Sequence, residues 1–305
     1  MINDKHLTLP VTELQRFCMH DGPGIRTVVF FKGCPLRCVW CHNPETQNSH
    51  GEMLYYPERC ISCGGCMSVC SHKAQNVTET HVFDRSLCAA CGLCAEVCPT
   101  EAMMPAVKDM TLESILSAVV RDRSFFGEDG GVTLSGGEPM MHPEGALRLL
   151  SACKEAGLHT AIETSGEFSR MLIPSLIQLA DLLLWDVKDT NNERHRQYTG
   201  VPNLRILDNL RLADRLGGRT RLRCIVVEGV NTDDAHWDSV AALYGELNCC
   251  EGVELLPYHA YGGSKMLPLG LSDNGRKDWI PTDERLNNIK KRLRERGVTV
   301  IDGSR

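Results

Sequence analysis

The sequence contains no apolar run of roughly 18 or more residues, so nothing in it reads as a membrane span. Its first segment, Met1 to His20, lacks the roughly 7–15-residue apolar core of a secretory signal, and the expectation is a chain that stays in the cytoplasm. Positive charge is not in excess. The 33 Lys and Arg stand against 39 Asp and Glu, a formal charge of −6, which gives no reason to expect nucleic acid as a partner. What the chain has in quantity is cysteine, 16 in 305 residues. Without an export signal, clustered cysteines read as metal ligands rather than disulfides. They are clustered: three lie at 34–41, four at 60–70 and four at 88–98. Cys18, Cys153, Cys224, Cys249 and Cys250 remain, and are expected to include small buried hydrophobes.

The first group sits in Gly33-Cys34-Pro35-Leu36-Arg37-Cys38-Val39-Trp40-Cys41-His42-Asn43-Pro44. Three thiolates are one short of the set that holds a ferredoxin-type [4Fe–4S] cluster. The iron left open is a place for substrate, so Cys34, Cys38 and Cys41 predict a catalytic cluster. The other two groups are runs: Cys60-x2-Cys63-x2-Cys66-x3-Cys70, then Cys88-x2-Cys91-x2-Cys94-x3-Cys98-Pro99. This is the pattern of a two-cluster ferredoxin, in which the fourth cysteine of each run ligates the other cluster. Structural zinc is the alternative, but zinc sites usually use separated cysteine pairs. Ser71 stands where proline is usual and removes no ligand. Saturated clusters are suited to electron relay.

Hydrophobic periodicity organises the rest. Thr27–Phe31 reads as a buried strand followed at once by the first cysteine group. Residues 57–105 have little periodicity and read as a small inserted domain between 1–56 and 106–305. Beyond it, helical stripes at 112–120 (with Thr111 as N-cap), 146–153, 172–180, 204–216, 233–247 and 281–296 alternate with strands at 132–134, 159–163, 182–188, 221–227, 253–256 and 298–301. That alternation predicts an α/β fold with a parallel sheet, either a partial barrel or a doubly wound sheet. In both, ligands bind at the carboxyl ends of the strands. The first cysteine group, Ser135-Gly136-Gly137-Glu138-Pro139, Glu163-Thr164-Ser165-Gly166 and Asp186-Val187-Lys188 all fall there.

These segments, with His20-Asp21-Gly22-Pro23-Gly24-Ile25-Arg26-Thr27 and Leu256-Pro257-Tyr258-His259, resemble the glycyl-radical-enzyme activating enzymes of the radical S-adenosylmethionine (SAM) superfamily over nearly the whole chain. The eight-cysteine insert is similar to that of the longer activases. The resemblance implies a partial (β/α)6 TIM-type barrel with an inserted ferredoxin-like 2[4Fe–4S] domain. It implies three clusters, reductive cleavage of SAM and removal of a glycine α-hydrogen from a partner glycyl radical enzyme. It also implies flavodoxin or ferredoxin as electron donor and an anaerobic cytoplasm. The alternatives are a multi-cluster electron carrier and a radical SAM enzyme acting directly on a small molecule.

For SAM, the resemblance points to Gly136, Gly137 and Glu138, the last meeting an ammonium group, to Lys188 and Asp186, to Arg223 and His259, and to Trp40 near the adenine. Glu163, with Thr164, is implied near a monovalent cation; the family position carries Asp where this chain has the longer Glu163. Asp21 and Arg26 are further candidates for contact with SAM or the partner peptide, and His42 and Asn43, after the last ligand, for reaching the incoming glycine loop. The plainer readings are turns for the glycines and salt bridges for Asp186, Lys188 and Arg223.

Overall fold

The structure, a computed structural model, describes residues 7–272 and 275–302. Strands β1 (Thr8–Cys18) and β2 (Arg26–Phe31) form an antiparallel pair. After the first cysteine loop come β3 (Met53–Tyr55), α1 (Gly65–Val69), β4 (Gln75–Val77), β5 (His81–Phe83), α2 (Leu93–Glu96) and β6 (Met103–Pro105), in which β3 pairs with β6 and β4 with β5. Strand β7 (Lys108–Thr111) returns to the free side of β1.

Helix and strand then alternate: α3 (Leu112–Arg121), β8 (Gly131–Gly136), α4 (Pro143–Glu155), β9 (His159–Thr164), α5 (Ile173–Leu179), β10 (Leu182–Val187), α6 (Asn192–Thr199), α7 (Leu204–Arg215), β11 (Thr220–Val226), α8 (Asp234–Glu246), β12 (Cys250–Pro257), α9 (Tyr261–Met266), α10 (Asp283–Glu295) and β13 (Val300–Ile301). No helix among the described residues is long and apolar enough to cross a membrane.

The main sheet runs β13-β12-β11-β10-β9-β8-β2-β1-β7, and all pairings from β2 to β13 are parallel. These parallel strands follow one another in chain order without the reversal that defines a doubly wound sheet. Right-handed crossovers that always step the same way leave the helices on one face, as around a barrel wall. Strand order therefore decides between the two architectures that periodicity left open.

Alternation along the strands gives each face its character. Val132, Leu134, Ile162, Leu183, Trp185, Leu222 and Cys224 pack under the helices with Ile115, Val119, Leu149, Leu150 and Leu210. A buried side chain of this size stabilises by about 1.5–3 kcal/mol relative to exposure. The neighbours in between, Ser135, Glu163, Asp186 and Arg223, face the opposite side, where charge collects.

Caps set the helix starts. Thr111 Oγ1 accepts from Ser114 N, as expected, and Thr282 accepts from Arg285 N, so α10 begins at Asp283 rather than Pro281. Among the elements that went unread, three bear on the site or the sheet edge. β1 and β7 are the antiparallel flank. α6 has buried only His195 and Thr199 and shows no apolar stripe.

Candidate active site

The first cysteine loop leaves β2 and turns at Gly33 (φ +97°), a conformation that favours glycine. Backbone bonds from distant segments then fix it: Gly33 N donates to Thr46 O (2.6 Å), Cys34 N to Gln47 O (3.0 Å), Arg37 N to Thr199 O (2.7 Å) and Val39 N to Tyr198 O (3.0 Å). The last two acceptors come from α6, the polar helix that periodicity missed. Behind the loop the buried Lys32 ammonium donates to Glu45 O and Glu52 Oε2, both at 2.6 Å.

Cys34, Cys38 and Cys41 are unpaired and half-buried. Burial pushes all three thiols up, Cys38 to about 12, and they raise one another, while the Lys188 ammonium pulls Cys38 and Cys41 back toward thiolate. Three adjacent desolvated thiols facing a cation are a donor set that fits a cluster, which takes thiolates.

Gly136 and Gly137 are required by a close approach, and what approaches is protein. A Cβ on Gly136 (φ +112°) would lie 2.2 Å from Phe31 N, and one on Gly137 would lie 2.2 Å from Gly33 O and 2.8 Å from Thr46 O. The pair seats the cysteine loop. Glu138 completes the joint. It is fully buried, its N–H donates to Gly33 O (2.8 Å), and its carboxylate accepts from Met140 N (3.2 Å), Thr164 Oγ1 (2.9 Å), Ser165 N (2.8 Å) and Ser165 Oγ (2.6 Å). The carboxylate expected to meet an ammonium group is already engaged by protein donors, because it ties the ends of β8 and β9 together.

Beyond this joint lies a buried charge network. Glu163 accepts from Ser135 Oγ (2.6 Å) and Arg223 Nη1 (2.9 Å). Arg223 also donates to His20 O (3.0 Å), lies 3.5 Å from Glu254 and is 3.9 Å from Asp21. Asp186 Oδ2 pairs with Lys188 Nζ at 2.9 Å, leaving Asp186 Oδ1 buried without a partner.

Both salt bridges of the plainer reading are therefore present. Burial raises Asp186, and raises Asp21 to about 6 with help from Glu163, while Arg223 overcomes burial to hold Glu163 low. Four carboxylates face two cations, a surplus of negative charge. Glu254 was missed, although its alternation with Val253 on β12 carried the signal.

Thr164 and Glu163, adjacent on β9, point to opposite faces, toward Glu138 and Arg223 respectively. The structure does not bring this pair to one point. Trp40 is buried and stacks on Tyr198 (5.3 Å), with Trp279 edge-on at 6.3 Å and Tyr258 alongside. His42, after the last ligand, meets His259 edge-on at 4.4 Å. Burial lowers both imidazoles, His42 to about 4.

Arg26, expected as a contact for SAM or peptide, is instead fully buried. It donates to Thr133 Oγ1 (2.6 Å), Val132 O (2.6 Å) and Pro23 O (2.9 Å), fastening the Asp21–Gly24 turn to β8. Cys18, Cys153 and Cys224 are buried, and Cys249 and Cys250 half-buried.

The remaining eight cysteines line two cavities. Cys60, Cys63, Cys66 and Cys98 border one, and Cys70, Cys88, Cys91 and Cys94 border the other.

The sequence profile of the radical SAM superfamily matches residues 28–238. A parallel sheet with a three-cysteine loop after its first parallel strand is thus that of a radical SAM protein, and the chain belongs to this superfamily. It is 37% identical to the benzylsuccinate synthase activating enzyme of Thauera aromatica, over 96% of this chain and 92% of that protein. To the choline trimethylamine-lyase activating enzyme of Oleidesulfovibrio alaskensis it is 40% identical, over 85% and 86%. To the trans-4-hydroxy-L-proline dehydratase activating enzyme of Clostridioides difficile it is 39% identical, over 92% and 94%.

Among solved structures, Streptococcus suis SuiB bound to the precursor peptide SuiA shares the fold alone, with a TM-score of 0.55 at 10% identity over 95% of this chain and 49% of that one. Within the superfamily, the chain belongs to the activating enzymes of glycyl radical enzymes, and membership carries a [4Fe–4S] cluster and SAM with it.

Proposed function

We propose that this protein installs a glycyl radical on a partner glycyl radical enzyme, using SAM at the end of β2 and electrons relayed through residues 57–105. The carrying observation is the apposition of three desolvated thiols, Cys34, Cys38 and Cys41, with a charge network that has a surplus of carboxylates. SAM brings a sulfonium and an ammonium against one carboxylate, a net positive charge that complements this surplus. When bound, the cluster supplies one electron to SAM, and the chemistry that follows removes a hydrogen atom from a glycine Cα of the partner, releasing methionine and 5′-deoxyadenosine.

The chain's own residues divide the work. Asp186 Oδ1 is the acceptor available for a ligand N–H or O–H, and Lys188, held by the other oxygen of Asp186, would pair with the SAM carboxylate. Arg223 is oriented by Glu163 and Glu254 and presents the remaining positive charge. The neutral His42 and His259 pack together beside Cys41, where they would meet the adenosine or the incoming glycine segment. Gly136, Gly137 and Glu138 act one step back, by seating the cysteine loop against β8. A monovalent cation would be served by Glu163 alone of the implied pair.

Residues 57–105 are read as a ferredoxin-like domain inserted between 1–56 and 106–305. Each cavity is bordered by three thiols of one run and the fourth of the other, the crossed arrangement of a two-cluster ferredoxin, which makes three clusters in all. A flavodoxin or ferredoxin is the donor this arrangement suits, in an anaerobic cytoplasm.

The test is anaerobic reconstitution to about twelve irons per chain, then incubation with SAM, dithionite and the glycyl radical enzyme encoded beside the gene. The expected result is 5′-deoxyadenosine together with a glycyl radical signal on the partner. Nucleoside without any protein radical would overturn the activase reading, and no nucleoside at all would favour an electron carrier.

A further inference from the structure

Residues 57–105 carry an internal repeat whose halves part in chemistry beside the thiols. Each position of the first cysteine run recurs 28 residues later. The backbone follows: Ser62 and Ala90 are left-handed at φ 53° and 54°, Gly64 and Gly92 at 78° and 83°, Lys73 and Glu101 at 56° and 52°. Backbone bonds to sulfur repeat as well, with Ser62 N donating to Cys60 Sγ (3.5 Å) and Ala90 N to Cys88 Sγ (3.3 Å). The repeat breaks at two buried positions. His81 corresponds to Met53, and Gln75 to Met103. Met53 and Met103 are purely apolar neighbours of the thiols. His81 and Gln75 are hydrogen-bonded to each other, Nε2 to Oε1, at 2.6 Å.

The His81 ring lies on the sulfurs of one cavity only. Nδ1 is 3.4 Å from Cys60 Sγ and Nε2 is 3.6 Å from Cys66 Sγ. With Gln75 Oε1 toward the ring, Nε2 carries the hydrogen and shares it between Oε1 and Cys66 Sγ; with the Gln75 amide turned round, its NH2 donates to Nε2 and Nδ1–H faces Cys60 Sγ. The other cavity is the one nearer the catalytic loop. It is lined by Met53, whose carbonyl accepts from Arg85 (2.6 Å), and Arg85 also donates to Pro268 O at 2.5 Å. Glu52, adjacent to Met53, pairs with Lys32, two residues before Cys34. The His81 cavity is therefore the outer of the two.

We propose that His81, steadied by Gln75, donates to the sulfur ligands of the outer cluster and sets its potential above that of the inner one. The inference rests on the reading of residues 57–105 as a two-cluster domain. Its physics is short. Reduction adds negative charge to a cluster, and an N–H aimed at its sulfurs stabilises that charge, so the midpoint rises. The inner cavity has Met53 where the outer has His81, and Gln75, which also borders it, turns its Oε1 to the His81 ring; the inner cluster therefore lacks that imidazole N–H and stays lower. The outer cluster is then the easier one to reduce, a collecting point where electrons from the donor gather.

EPR-monitored redox titration of the full-length reconstituted protein tests this, comparing wild type with His81→Met, which copies the twin position. One insert midpoint should move to lower potential in the variant while the other and that of the catalytic cluster stay. Unmoved midpoints at about twelve irons would overturn the assignment. Pulsed EPR of the unaltered protein labelled with ¹⁵N-histidine gives a reading that does not depend on the variant folding. An imidazole nitrogen coupled to one reduced insert cluster is expected, and its absence from both would equally defeat the proposal. About four irons in the wild type would instead remove the two-cluster reading itself.

Discussion

The catalytic loop and the insert place their cysteines by opposite means. In the loop, three thiols depend on partners far away in sequence: Thr46 and Gln47, Tyr198 and Thr199, and the Gly136–Glu138 joint. In the insert, the thiols are set by their own runs, through left-handed residues and helices of one turn. The site that must meet a substrate is assembled from segments across the whole sheet, whereas the region we propose as the relay is assembled from a repeated local device. That contrast predicts that remote substitutions injure the loop and spare the insert.

Cys38→Ala gives the largest effect. SAM cleavage should fall below detection while about eight irons remain in the insert, read by iron analysis and 5′-deoxyadenosine yield. Loss of all iron would erase the contrast.

Gly137→Ala sharpens it from a distance. The new Cβ would lie 2.2 Å from Gly33 O, so the loop must shift. The expected outcome is loss of about four irons with the insert's EPR signals intact.

Gly92→Ala is the smallest. Nothing stands within 4 Å of its Cβ, and only the left-handed φ of +83° opposes the change. It should cost about 1–2 kcal/mol in chemical denaturation and leave iron content unaltered.

The same contrast explains what could be read in advance. The grouping of the eight cysteines of residues 57–105 around two cavities followed their spacing, because spacing within a run is what brings its thiols together. The strands β8 to β12 were legible too, since a sheet covered by helices demands near-continuous apolar runs. Thr111 announced its helix by the chemistry of its cap.

What stayed hidden was long-range. α6 is held by His195 and Thr199 bonding to Val201 O and by its grip on the cysteine loop, not by an apolar stripe. The glycines at the end of β8 promised room for a ligand, and Phe31 and Gly33 fill it. Glu138 and Arg26 carry the charges that usually mark a binding role, but their partners come from other strands and from loop carbonyls. No spacing rule reports such pairings.

The crossed lining of the two insert cavities has a consequence for biogenesis. Neither half of the repeat borders a cavity with four thiols of its own: Cys98 closes the space begun by Cys60, and Cys70 closes the one begun by Cys88. On the two-cluster reading proposed above, a nascent chain that has emerged only as far as α1 can finish neither cofactor, and maturation must wait until the second run has folded back upon the first.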